Sequence, residues 1–295
     1  MNDEELNRLV VERAQQRVEQ RQIASVVVET GRQPLPLRDE RPALWGFAAL
    51  LLTLVVGGLL LIPGSFAAKL GWVVHGVCAK EHTLVLGGIN LPLCQRNTGI
   101  YSGFLATVIT LVALGRGRAG RLPPTPILVL LGLNVVWMGV DGFNSLLLDV
   151  NGSNWYTPQP VLRILSGLAM GMTIGTLLVF AFNSALRSNA RRDQRVLASW
   201  RDVALVAAVE LLLFALIRLA GPVIAYPLAI FSTLGILGVM FAVNVLMIGM
   251  VGRYDGLVTR VAQLARLGMV ALVLTGIEFG LLAWARIAVE GAMKM

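Results

Sequence analysis

The sequence predicts an all-α fold, a polytopic bundle of seven membrane-spanning helices with the N-terminus cytoplasmic and the C-terminus outside. Three observations carry that prediction. The first is composition. Residues of the set Ala, Val, Ile, Leu, Met, Phe, Trp, Tyr and Cys make up 56% of the 295-residue chain, charged residues only 14%, and mean hydropathy is +0.73. Soluble domains carry about 25% charged residues. A chain this poor in charge has too little polar surface to face water on all sides. That argues against a cytosolic enzyme, a disordered chain and a disulfide-stapled secreted scaffold. The second is a set of seven apolar runs, each near the roughly 20 residues that cross a hydrocarbon core of about 30 Å. The third is the alternation of Lys and Arg between the loops.

Taken in order, residues 1–42 form a polar, cytoplasmic tail rich in Glu, Gln and Arg. Leu6, Val10, Ala14 and Val18 recur at i+4 spacing, which predicts a short amphipathic helix. Pro34 and Pro36 end it. The opening Met1–Glu5 is acidic, unlike the positive start of a signal peptide, so the first apolar run is expected to stay in the membrane. The runs are Ala43–Ile62, Thr98–Leu114, Pro126–Leu148, Val161–Phe182, Val203–Leu219, Ala225–Val251 and Gly268–Val289. Helices are required, because an open chain in lipid strands its backbone donors and acceptors. With the N-terminus inside, 18 of the 25 Lys and Arg fall on the cytoplasmic side and 7 on the other. Each inner segment holds at least as many as the outer loops beside it, as the positive-inside rule leads one to expect. The formal charge of +8 is explained in this way, without a nucleic-acid partner. The expected location is the inner (cytoplasmic) membrane.

The outer loop 63–97 holds GWVVHGV, too short to span, which reads as an interfacial or re-entrant segment with Trp72 at the interface. Gly167, Gly171 and Gly175 recur every four residues, as do Gly99 and Gly103. Such spacing lets helix backbones approach closely in lipid.

Charged residues within spans are costly and face the bundle interior or a cavity. Asp141, Glu210, Arg218, Glu278 and Arg286 are of this kind. Glu278 falls near the midplane. Asp141, Arg218 and Arg286 fall toward the outer side, where Arg163 begins the fourth span. One carboxylate and three guanidiniums are therefore expected at a similar depth, with Asp141 available to any of the three. ELLLFALIR and EFGLLAWAR both pair Glu with Arg eight residues on, at Glu210/Arg218 and Glu278/Arg286, the pattern of a parallel internal repeat or of two similar Leu/Ala-rich helices. Arginine excess points to an anion, a carboxylate or a lipid headgroup. Glu278 and Glu210 are the candidates for proton transfer. The structural alternative is interhelical ion pairing with arginines snorkelling to the surface.

Cys78 and Cys94 lie in the outer loop with His75 and His82. A Cys78–Cys94 disulfide, two free thiols and a metal site built from His75, Cys78, His82 and Cys94 are all open, though the spacing is not a standard zinc pattern. Asp149, Asn151 and Ser153 hint at a calcium loop but lack its glycine and distal Glu, so a polar turn is expected. Asn151 also heads a glycosylation sequon. No phosphate-binding loop, dinucleotide fingerprint, His-Glu-x-x-His or nucleophile elbow occurs. Catalysis is therefore unsupported, and no cofactor is expected.

The stretch GGINLPLCQRNTGIYSGF, Gly87 to Phe104, resembles the signature of a family of predicted bacterial and archaeal membrane proteins of unknown function. Members typically read Cys-His, a polar loop, then Pro-x-Cys-x-Arg-Cys-Thr-Gly-Ile-Tyr. Asp141 and Gly142, and Arg163, Gly167 and Gly171, also match the family's later positions. The resemblance runs from about Val77 to Leu178. It divides the chain into a family-like four-helix region, 43–182, and a three-helix extension, 183–295. Two positions depart from the family: Ala79 stands for its His and Asn97 for its second Cys. What the resemblance leaves is a polar set of Arg96, Tyr101, Asp141 and Arg163 on the outer half. The leading expectation is a membrane protein that binds or transports a small anionic or lipid-like solute at that site. The alternatives are an accessory subunit of a larger membrane complex, docked by the N-terminal helix, and a thiol- or metal-dependent membrane enzyme.

Overall fold

The computed structural model describes residues 39–78, 82–150 and 152–292, Leu35, and seven exposed helical residues of the tail between Glu5 and Gln20. Most of the expected tail helix, including Leu6, Val10 and Val18, lies outside the described residues, as do Ala79 and Asn151.

All seven apolar runs form helices. We number them with one short extra helix as α1 (Arg41–Leu61), α2 (Phe66–Val73), α3 (Gln95–Ala113), α4 (Thr125–Asp149), α5 (Pro160–Leu186), α6 (Trp200–Leu219), α7 (Ala225–Val251) and α8 (Ala265–Ala292). Proline stands in the first turn of α1, α4 and α5, where its missing N–H costs nothing. α2 takes in Gly71–Val73 of the segment read as interfacial, whose remaining residues, 74–77, form a turn. At eight residues α2 is too short to cross. Ser65 caps it by accepting from the Ala68 amide at 3.3 Å. Lys69 on α2 donates to the Leu59 carbonyl, so a cation sits on the open C-terminal end of α1.

Among the described residues five helices, α1, α4, α5, α7 and α8 (the last two with the 3₁₀ turn before each), are long and apolar enough to cross a membrane. α3 and α6 fall short of the seven-span expectation for a compositional reason. α3 opens on Gln95, Arg96 and Asn97, and α6 carries Arg201, Asp202, Glu210 and Arg218. α3 is the hub of the packing. It lies against α5, α6 and α7, and nearly half of its residues are buried. A polar helix is tolerated here because protein rather than lipid surrounds it.

The fold also departs from purely helical in two places. β1 (Thr83–Leu86) and β2 (Ile89–Cys94) form an antiparallel hairpin, and β3 (Ala119–Arg121) pairs in parallel with β4 (Arg191–Arg195). The hairpin turn is Gly87-Gly88, with φ of 56° and 80°. Two successive positive φ values are what a tight two-residue hairpin needs. The apolar alternation of 84–93 was hidden by its short length.

The loops fall into two sets. On one face, His82 meets Asp149 at 2.9 Å, Gly87 lies against Pro222, and Arg286 donates to the carbonyls of His75 and Cys78. On the other face, Asn183 donates to the Gly117 and Ala119 carbonyls at 3.1 and 3.0 Å. Also on this face, Ser188 and Asn189 reach Val258 and Thr259, and the Leu35 amide donates to Leu257.

Candidate functional site

The first helical turns of α3 and α5 meet the C-terminal half of α4 beside Trp155 and Tyr156. Glycine makes that meeting possible. A Cβ built on Gly99 would lie 2.5 Å from the Ile164 carbonyl oxygen, and one on Gly171 would lie 2.5 Å from that of Ile100. The two glycine rows face each other, as their spacing implied, and α3 and α5 are in backbone contact.

At this junction Asp141 is wholly buried, at 0% exposure. Its Oδ2 accepts from Arg96 Nε at 3.1 Å, Arg96 Nη2 at 2.5 Å and Ser166 Oγ at 3.2 Å. Its Oδ1 accepts from the Tyr156 hydroxyl at 2.8 Å. Arg96 Nη2 also donates to the Asp141 carbonyl and to Ser145 Oγ, both at 2.9 Å. Both oxygens of the carboxylate are thus engaged, and a buried ion pair holds together only when such added hydrogen bonds support it. Asn144, one turn on, accepts from the Trp155 and Tyr156 amides at 2.7 and 3.3 Å and donates to the Tyr156 carbonyl at 2.8 Å. It pins the loop so that Tyr156 faces Asp141. The Tyr156 hydroxyl lies outside the spans. Its pKa is pushed up to about 12, first by burial and then by its hydrogen bond to Asp141.

Arg163 stands in the first turn of α5, within electrostatic reach of Arg96, Asp141 and Asp149. It is 6% exposed, and its Nε is buried without a partner. Among the described residues no carboxylate or carbonyl accepts from its guanidinium. Asp141 is saturated by Arg96, and Asp149 is taken by His82. One guanidinium is left over.

Of the three arginines expected to gather at Asp141, Arg163 lies within electrostatic reach, while Arg218 and Arg286 do not join it. Asp141 pairs with Arg96, which stands at the start of α3 and points back across it. Arg218 is exposed at the end of α6. Arg286 binds Glu290 one turn on, at 2.6 Å, and the loop carbonyls of His75 and Cys78. The two Glu-x7-Arg segments do different work. Glu210 is 4% exposed and accepts only from Thr107 Oγ1, at 3.0 Å. Glu278 is half-buried and accepts from Asn244 Nδ2 at 2.8 Å. Tyr101 packs with Cys78 and Cys94 and against α7, away from Asp141.

Cys78 and Cys94 are free thiols. They lie side by side, and the Cys94 thiol is raised in pKa, first by its hydrogen bond with Cys78 and then by burial. The metal alternative is not assembled: His82 is on Asp149, His75 faces Glu290 at 3.6 Å, and no three ligand-type residues converge among those described. Asp149 is the last residue of α4, and Asn151 of the expected polar turn lies outside the described residues.

Sequence reasoning missed Tyr156, Ser145, Ser166 and Asn144 as the companions of Asp141. Asn144 and Ser145 carried a signal, since they lie three and four residues after Asp141 on the same helical face.

Long apolar helices around a polar, hydrogen-bonded junction define an integral, multi-pass helical membrane protein. Residues 78–177 match the model of DUF2085, described as a predicted membrane protein. The match covers about a third of the chain and falls on the stretch whose resemblance was described above. No curated protein and no solved structure matches the chain.

Proposed function

We propose that the protein binds and moves a small anionic or lipid-like solute at the junction of α3, α4 and α5. We place it in a bundle of seven crossings with the N-terminus on the cytoplasmic side of the inner membrane. The reading rests on Arg163. A guanidinium withdrawn from water costs several kcal/mol unless counter-charges and acceptors replace its hydration; the carboxylates near Arg163, Asp141 and Asp149, are engaged by Arg96 and His82, and no acceptor bonds it among the described residues. A carboxylate, phosphate or sulfate would supply both, and the planar guanidinium suits all three. Arg96, Asp141 and Tyr156 form the frame that orients the site. The alternation of loops between two faces supports the seven crossings, with α3 enclosed by its neighbours and α6 turning Asp202 and Glu210 inward while Leu205, Leu211, Leu212 and Leu216 face outward.

The test is extraction from native membranes in mild detergent, followed by mass spectrometry of what stays bound. We expect one anionic species in the wild type, lost in Arg163→Gln and kept in Arg218→Gln. Identical small-molecule content in all three would overturn the reading.

A second reading is an accessory subunit of a larger membrane complex. It is favoured by α1, whose apolar span is buried nowhere along its hydrophobic window and touches mainly α8. Co-extraction of a stoichiometric protein partner, with no bound anion, would support it instead.

A further inference from the structure

A second group of arginines sits on the opposite face of the molecule, far from Arg163 in the fold. The loop after α3 and the loop after α5 meet there through the parallel pair β3–β4. Arg116, Arg191, Asp193, Gln194, Arg195 and Ala198 line an open cleft of about 420 Å³. Arg116 is held in place: it donates to Asp202 Oδ2 at 3.3 Å and to the Arg195 carbonyl at 3.5 Å. The side chains of Arg191 and Arg195 have no partner among the described residues, and Asp193 is the sole carboxylate in the lining. Just behind, Arg118 and Arg187 lie close enough for their like charges to oppose each other, which together with burial lowers the Arg187 pKa. The platform is fixed. Besides the β3–β4 ladder, Asn183 on α5 bonds two carbonyls of the β3 loop. Trp200, at the start of α6, is 57% exposed beside this face, the position of an aromatic at headgroup level.

We propose that this cleft binds a phosphate group, carried by an anionic phospholipid headgroup or free in the adjoining aqueous phase. Three guanidiniums on rigid backbone surround a space of headgroup size. Their charge exceeds that of Asp193 together with the Asp202 that engages Arg116. Guanidinium forks match phosphate oxygens in geometry, and each bond formed is charge-assisted. The proposal is independent of Arg163 and of any solute bound there.

The experiment uses the full chain in detergent with two probes. In the first arm, native mass spectrometry compares retention of phosphatidylglycerol and phosphatidylcholine. In the second, inorganic phosphate is titrated against chloride at matched ionic strength while thermal stability is followed. Phosphatidylglycerol should be retained well above phosphatidylcholine. Arg191→Gln with Arg195→Gln should weaken that retention about tenfold for each charge-assisted bond removed. Asp193→Asn, at an exposed position, should strengthen it. A phosphate response that depends on these arginines, without lipid discrimination, would assign the site to free phosphate. Equal retention of both lipids together with no arginine-dependent phosphate response would overturn the proposal. If the double variant does not fold, Asp193→Asn decides alone: unchanged or weaker binding in both arms rejects it.

Discussion

Asp141 and Arg163 show how differently two buried charges are treated within one turn of each other's helices. The Asp141 carboxylate accepts four bonds, two of them from the Arg96 cation, and Arg163 has no acceptor among the described residues. Removing the carboxylate in Asp141→Ala strands Arg96 and should lower stability by about 3 kcal/mol or more, read from thermal melts in detergent. Arg163→Gln should melt no lower than the wild type stripped of ligand, because it removes an uncompensated charge. Tyr156 gives a pH signature. Its raised pKa means that the folded state prefers the neutral phenol. Stability from this group is complete below pH 10 and is lost as pH rises from about 10 to about 12. Tyr156→Phe should flatten that part of the melting profile relative to wild type, and an unchanged alkaline limb would discount the contact. The Cys94 thiol, held by Cys78, should react slowly with maleimide at neutral pH, and Cys78→Ala should speed it. At this scale the sequence singled out Arg96, Asp141 and Arg163, which the fold brings to one junction. It did not reveal their partners. Arg96 was named for its place beside the cysteine, yet its reach to Asp141 depends on how α3 lies across α4, which no local pattern encodes.

Helices were far more legible than contacts, because each apolar run has one low-cost conformation in lipid. Boundaries moved by about a turn where polar residues extend a helix beyond its apolar stretch, as Gln95–Asn97 do for α3 and Trp200–Asp202 for α6. The glycine rows were legible too, since spacing alone puts Gly99 and Gly103 on one face and Gly167, Gly171 and Gly175 on another. Their cost is predictable. Gly171→Val would drive its side chain into the Ile100 carbonyl and the Phe104 amide. Neither atom is able to yield without moving α3. The loss should exceed the roughly 1–3 kcal/mol of an overpacked side-chain contact. Gly276→Val, at a glycine of α8 with open space around it, should be close to neutral in the same thermal assay. The hairpin and the β3–β4 pair were not legible. The first is brief. The second joins strands about 70 residues apart, and a parallel pairing of that kind leaves no periodic trace in a five-residue segment.

For the molecule as a whole, the arginine count and the geometry converge on the same division into two faces. The hairpin, the loop 150–159, the 3₁₀ turn Gly221–Ile224 and the end of α8 share one face. β3, β4, Leu35 and the turn before α8 share the other. In cells expressing a chain with Cys78→Ser and Cys94→Ser, an impermeant maleimide should label Ser153→Cys and leave Asp193→Cys unlabelled until the membrane is opened. The reverse pattern would turn the molecule over and move the Arg163 junction to the cytosolic half.

β2 ends at Cys94 and α3 starts at Gln95, so nothing elastic separates the hairpin from the helix that carries Arg96. The two are mechanically in series. Whatever grips or tilts the exposed strands turns the first coil of α3 with them, and so delivers torque to the lock that Arg96 makes with Asp141. The hairpin and the ion pair are thus joined without slack.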